Sequence, residues 1–352
     1  MRMTGWLGKL RFLFAATTGI MIASGALSTL KAQAQPPLDG PALEAAAKAE
    51  GKLTLYTSSV DAETQEIVRS FEARYPGIKV EWLRFPSTTL FTRFAGESEQ
   101  KTYHADVLYS GSSQLYQLRP ELFRKLTPEL VPNIAKVIVP AKNPNYVVGE
   151  VLPHIVAYNS TTVSAADISA HLKSWKDLAD PRWKGRIAMV DPKISTNMVS
   201  WLMLMRQTYG DEWVKGLTAN QFKVVTGGPS GAQQVAAGAF QMVVPSVINH
   251  STDIRAQGAP ITLYSPEGPT HGLEMAMGLP LTAPHPNAAR LYVNWKLGHD
   301  AAVLLCKMGG VPNVPAPTEL PCPTMSPRHV GSNDMITPEQ QKDVLTAYGI
   351  KP

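Results

Sequence analysis

The stretch that most constrains the chain runs over residues 51–77, GKLTLYTSSVDAETQEIVRSFEARYPG. Leu53, Leu55 and Tyr56 make a short apolar run of the kind that becomes a buried parallel strand, with Thr57, Ser58 and Ser59 at its carboxyl end. Asp61 is placed to cap the next segment, in which Ile67, Val68 and Phe71 share one helical face before Pro76 and Gly77 stop it. Ile78, Val80 and Trp82 then alternate with Lys79 and Glu81 and begin a second strand. The unit is therefore strand, loop, helix, strand. In open α/β sheets ligands sit at the carboxyl ends of strands, which makes Ser58 and Ser59 candidate ligand contacts. Small hydroxyl residues at such places also serve simply as turn and cap formers.

Ahead of that unit, Arg2, Lys9 and Arg11 precede an apolar stretch over 12–26, and Ala32-Gln33-Ala34 is followed by Gln35-Pro36. This is the pattern of a secretory signal peptide over residues 1–34. Thr and Gly interrupt its apolar core, which falls short of the roughly 20 residues of a membrane span. The mature protein is expected to be soluble and periplasmic. Its 318 residues, of 352 in all, suit about two domains of roughly 100–200 residues each. The leader holds Arg2, Lys9, Arg11 and Lys31 and no acid, so its loss takes the formal net charge from +5 to +1. A nucleic-acid or anionic-membrane partner, which needs clustered Lys and Arg, is not expected. The two cysteines, Cys306 and Cys322, are expected to pair in an exported protein; two free thiols or a metal pair are the alternatives. Closing that loop restricts the unfolded chain by about 3 kcal/mol.

Hydroxyl-rich loops recur at predicted strand ends. Ser110-Gly111-Ser112-Ser113 follows a strand over 105–109, and Asn159-Ser160-Thr161-Thr162 turns the chain into what reads as a second lobe. Ser195, Thr196 and Asn197 stand at the start of a helix over 198–207, a position that favours anions. Gly227-Gly228-Pro229-Ser230 opens another helix, and a strand over 241–244 leads to Ser246 and Asn249. Trp82, Trp175, Trp183, Trp201, Trp213 and Trp295 read as packing residues rather than a ligand cage.

The segments LTLYTSS (53–59) with its helix, ADVLYSGSS (105–113), VAYNSTTV (156–163), SWKDLADPRWKGRIAMVDP (174–192) and APHPNAARLYVNWKL (283–297) together carry a resemblance. Over nearly the whole mature length the chain resembles the extracellular solute-binding proteins of bacterial ATP-driven importers, in the group that includes the periplasmic ferric-iron-binding proteins. The resemblance implies a two-lobe α/β fold of the periplasmic-binding-protein type (type II-like), joined by two crossing segments, with a ligand cleft between the lobes and closure by hinge motion. It implies lobe 1 over 35–155 and 273–325, lobe 2 over 156–272, and a helical tail over 326–352 assigned to neither. The expected partners are a small-molecule ligand and an inner-membrane permease with its ATPase; the protein is expected to be a monomer with no cofactor and no catalysis.

Iron binders of that group use a His after the first strand, a Glu after the strand matching 105–109, and two adjacent tyrosines after the strand matching 241–244. Val60, Gly111, Ile248 and Asn249 occupy those positions here, and the chain has no adjacent Tyr pair. Fe(III) needs hard anionic oxygen donors, so iron is not expected. The Ser-containing helix start that holds the accompanying anion in those proteins corresponds to Ser195-Thr196-Asn197, and Gly228 and Ser246 fall at further anion contacts. The expected cleft is thus lined by Ser58, Ser59, Ser112 and Ser113 from one lobe. Ser195, Thr196, Asn197, Gly228, Ser246 and Asn249 come from the other. Neutral donors and helix amino-termini suit a small organic anion, namely a phosphonate, sugar phosphate or carboxylate. A polyamine would want carboxylates and aromatic faces. Arg84, Arg93 and Arg255 are possible charge partners, although exposed arginines are usually solvated surface.

The rival from another class is a secreted hydrolase. Its nucleophile elbow reads G-x-S-x-G, and the nearest approach, Gly228-Pro229-Ser230-Gly231-Ala232, fails at the last position. None of the eight histidines has His-x-x-x-His spacing. His250 alone falls close to a proposed binding loop and reads as a surface or structural residue. A glycosidase carboxylate pair stays open, because its separation is spatial. So does a sensor that presents the solute to a membrane protein without import.

Overall fold

The computed structural model describes residues 40–269, 271–323, 328–331 and 336–352; the signal-peptide reading of residues 1–34 lies outside them. Eleven strands among the described residues form two sheets. The first contains β1 (Lys52–Thr57), β2 (Lys79–Arg84), β3 (Val107–Ser110), β4 (Val147–Pro153), β10 (Gly272–Gly278) and β11 (Val311–Pro312), in the order β11-β4-β10-β3-β1-β2. The second contains β5 (Ile155–Asn159), β6 (Ile187–Val190), β7 (Lys223–Val225), β8 (Met242–Ser246) and β9 (Ile261–Tyr264), in the order β7-β6-β8-β5-β9.

β1 pairs in parallel with both β2 and β3, and β6 in parallel with both β7 and β8. Parallel pairing sets the carboxyl ends of three strands side by side in each sheet, so the loops after them open along one edge. β1 is buried on both faces, as its apolar run requires. Leu53 and Leu55 pack with Ile67 and Phe71 of the helix Asp61–Arg74, whereas Tyr56 joins Phe91, Phe94 and Tyr116 on the opposite face. The helix Asp61–Arg74 has Val60 as its N-cap with no side-chain cap bond, so Asp61 acts within the first turn, not as the cap expected of it. Trp82 departs from expectation as well: it is 40% exposed, because β2 is the edge strand and nothing packs outside it. The five other tryptophans named above are buried.

The chain leaves the first sheet at His154, between β4 and β5, and returns between β9 and β10. The two passages lie side by side, with the His154 amide donating to the His271 carbonyl at 2.8 Å. A third passage goes beyond the two expected. After β11 the chain reaches the second lobe again, where the helix Pro338–Ala347 buries Val344 and Leu345, and the Tyr348 hydroxyl donates to the Leu202 carbonyl at 2.8 Å. Cys306, in the helix His299–Lys307, is disulfide-bonded to Cys322. No helix among the described residues is long and apolar enough to cross a membrane.

Candidate functional site

A cavity of about 280 Å³ lies where the strand ends of the two sheets meet. Ser58 and Ser59 reach it from the loop after β1, Arg84 from the end of β2, Ser195 from the start of the helix Thr196–Ala219, Gly228 from the start of the helix Gly228–Ala236, and Asn249 and His250 from the turn after β8. No carboxylate among the described residues lines it.

The first lobe supplies a tethered cation. The Ser59 carbonyl accepts from Arg84 Nε at 2.8 Å, while the two terminal amino groups of the guanidinium have no hydrogen-bond partner among the described residues. The Ser58 hydroxyl accepts from the Gly111 amide at 3.0 Å, which ties the loops after β1 and β3 together and leaves its own proton to donate. The Ser59 hydroxyl is buried and lies beside the Glu63 carboxyl.

The second lobe supplies a helix start seated on an imidazole. His250 Nδ1 accepts from the Val247 amide at 3.3 Å, so a neutral ring carries its proton on Nε2. Burial, with the Arg84 charge adding to it, pushes the His250 pKa down to about 4, and the ring is neutral at neutral pH. A Cβ built on Gly228 would stand 2.0 Å from His250 Nδ1, so only glycine lets the helix approach this closely. The first N–H groups of that helix have no intrahelical partner and carry the positive end of its dipole to the cavity. Gly228→Ala is expected to weaken ligand binding at least tenfold and to cost about 1–3 kcal/mol in stability, because helix start or ring must shift. Ligand titration and a urea melt read the two effects separately.

The other expected contacts fall elsewhere. Ser112 Oγ and Ser195 Oγ lie 2.9 Å apart, Thr196 Oγ1 donates to Gln114 Oε1 at 2.7 Å, and Thr88 Oγ1 donates to the Ile194 carbonyl at 3.3 Å. These bonds stitch one lobe to the other. Ser195 therefore both lines the cavity and joins the seam, whereas Ser112 and Thr196 only join the seam. Asn197 is buried and donates to the Gly272 carbonyl. Ser113 is fully buried, and so is Ser246, 3.4 Å from the His250 imidazole. Of the three arginines singled out, Arg93 is paired with Glu97 at 2.7 Å and Arg255 lies outside the cavity. The signal that separates Arg84 from them is its place at the carboxyl end of a parallel strand beside Ser58. The cavity's apolar walls carried no such signal, and His250, placed beside a binding loop by its position after β8, lines the cavity although the sequence reads it as a surface or structural residue.

Behind Asn249 lies a buried charged cluster that no spacing announces. The Asn249 amide donates to Glu63, and the Ser59 hydroxyl lies beside the same carboxyl. Lys296 Nζ and Glu150 Oε2 are 2.7 Å apart, both essentially inaccessible, and the ammonium sits 5.1 Å from the centre of the Tyr109 ring. Burial first, then the charge of Glu150, raises the Glu63 pKa to about 8 against the opposing pull of Lys296 and Asn249. A carboxyl held above its unfolded value binds more protons folded than unfolded, so its contribution is complete at about pH 4 and is lost as the pH rises toward about 8. Melting temperature is expected to fall across that window, and Glu63→Gln to flatten the slope. A slope unchanged in the variant would assign it to other groups.

The iron positions of the resembling group hold no ligand here. Val60 lines the cavity, and a Cβ at Gly111 would meet Leu273 Cδ1 at 2.4 Å, so a glutamate there has no room. Among the described residues no group of three His, Cys, Asp or Glu is placed to hold a metal ion.

The family model for bacterial extracellular solute-binding proteins matches residues 53–309. A protein of Haemophilus influenzae is 25% identical over 284 residues, 77% of this chain and 80% of its own length. Iron-bound HitA from Pseudomonas aeruginosa is similar in structure with a TM-score of 0.65 and 20% identity, over 85% of this chain and 98% of that one. AfuA from Actinobacillus pleuropneumoniae, a periplasmic binding protein with fructose-6-phosphate bound, gives a TM-score of 0.67 and 19% identity, over 85% and 97%. Identities of this size carry the two-lobe fold and not the ligand.

Proposed function

Because the chain belongs to the bacterial extracellular solute-binding proteins, we propose that it is the periplasmic component of an ATP-driven importer and captures a small organic anion in the cavity between its lobes. The observation that carries this reading is the tethered Arg84 guanidinium, whose terminal amino groups have no partner among the described residues, on a cavity that no carboxylate among those residues lines. Charge-assisted hydrogen bonds of this kind, added to a helix amino-terminus, favour a phosphoryl, phosphonyl or carboxylate head. Ser58 and Ser59 supply further hydroxyl donors from one lobe and Ser195 from the other.

In this reading the lobes, 35–155 with 273–325 and 156–272, close about the adjacent passages at His154 and His271, and the seam from Ser112 to Ser195 forms on closure. The closed surface is what a membrane permease with its ATPase recognises, and the protein works as a monomer that binds without catalysis. A thermal-shift screen of phosphonates, phosphate esters, carboxylates, polyamines and Fe(III) tests it, with a hit raising the melting temperature by mass action. An anion that raises it, changes tryptophan fluorescence and is recovered chemically intact supports the reading. A response confined to polyamines or Fe(III) refutes it, and recovery of a cleaved product would make the protein a hydrolase.

A further inference from the structure

Resting on the anion reading, the geometry points to a narrower ligand class: one terminal anionic head on an apolar body that carries few or no hydroxyls, in preference to a polyol ester with the same head. The cavity divides its chemistry unevenly. Donors are plentiful in the Arg84 guanidinium, the His250 Nε2 proton and the start of the helix Gly228–Ala236. The rest of the wall is largely apolar, with Val190, Ile194, Met198, Val247 and Leu273 among its residues.

Acceptors are scarce. A polyol hydroxyl donates as well as accepts, so a site for it has to offer oxygens. No carboxylate among the described residues lines the cavity, and four of the six side-chain hydroxyls that do, those of Ser58, Ser195, Thr226 and Ser230, are hydrogen-bonded already. Ser58 accepts from the Gly111 amide, Ser195 is bonded to Ser112, and Ser230 lies 3.2 Å from Gln234 Nε2 and 3.4 Å from Thr226 Oγ1. Asn249 has its carbonyl oxygen sealed from solvent and its amide turned to Glu63. Each ligand hydroxyl buried without an acceptor costs on the order of tenfold in affinity, whereas an apolar ring or chain against these walls costs nothing of the kind.

Matched pairs sharing a head separate the body from the charge. Isothermal titration of the purified protein with phenyl phosphate against glucose 6-phosphate, and with benzoate against gluconate, is expected to give at least tenfold tighter binding of the aromatic member in whichever pair binds. Arg84→Gln is expected to weaken that binding. Equal or tighter binding of the polyol member overturns the inference and leaves the anion reading in place. Binding of neither pair, or binding indifferent to Arg84→Gln, overturns the anion reading and this inference with it.

Discussion

Replacing Lys296 by methionine is expected to lower the free energy of unfolding by about 3–5 kcal/mol, because it removes the single cation from a buried group of carboxyls. Lys296 and Glu150 bridge the helix Pro286–Lys296 to β4 with side chains 0% and 1% exposed, beside the buried Tyr109. Glu63 sits close enough to feel both charges. Losing the ammonium leaves Glu150 to ionise uncompensated in the core or to take up a proton, and either costs most of the pair's desolvation energy. The double variant Lys296→Met with Glu150→Leu is expected to recover much of the loss, since apolar groups of similar size replace buried pairs at little cost. Midpoints of urea unfolding for the two single variants and the double one measure this directly. A single variant within about 1 kcal/mol of the parent would mean that water reaches the pair.

Arg84→Ala is expected to weaken ligand binding by one to two orders of magnitude while leaving the melting temperature of the unliganded protein nearly unchanged. Each hydrogen bond from a charged donor to an anion contributes about 1.5–3 kcal/mol, and the exposed guanidinium holds nothing else in place beyond the Ser59 carbonyl. Arg84→Lys keeps the charge but loses the planar fork and the Nε tether, so its affinity should fall between the two. Titration of a hit from the ligand screen into all three proteins reads the series. An alanine variant that binds as well as the parent would remove Arg84 from the site.

The alternation and 3.6-residue spacing in residues 51–84 were enough to read β1, its helix and β2, and the position of Ser58, Ser59 and Arg84 at parallel strand ends follows from that reading. What the local pattern cannot carry is which loop meets which across the cleft. Ser112 and Ser195 are 83 residues apart and belong to different lobes, so only the fold shows that these two hydroxyls lie within hydrogen-bond distance of each other. The Glu150 and Lys296 pair spans 146 residues and is invisible for the same reason. Trp82 shows a subtler limit. Alternation says which face of β2 it shares with Val80, but whether that face is covered depends on the strand's place in the sheet. The tail reads as helical from its sequence, yet the lobe that receives it shows only in the fold, where Val344 and Leu345 join the second lobe's core and the Tyr348 hydroxyl donates to the Leu202 carbonyl.

Native mass spectrometry of the freshly purified protein, set against the same sample unfolded and refolded, reads capture of a small organic anion between the lobes without a prior guess at the ligand. A ligand enclosed between the lobes survives purification often enough to be weighed. The account predicts a discrete added mass that disappears on unfolding and belongs to a phosphorus- or carboxylate-bearing anion. An added mass of iron, or of a polyamine, would contradict it.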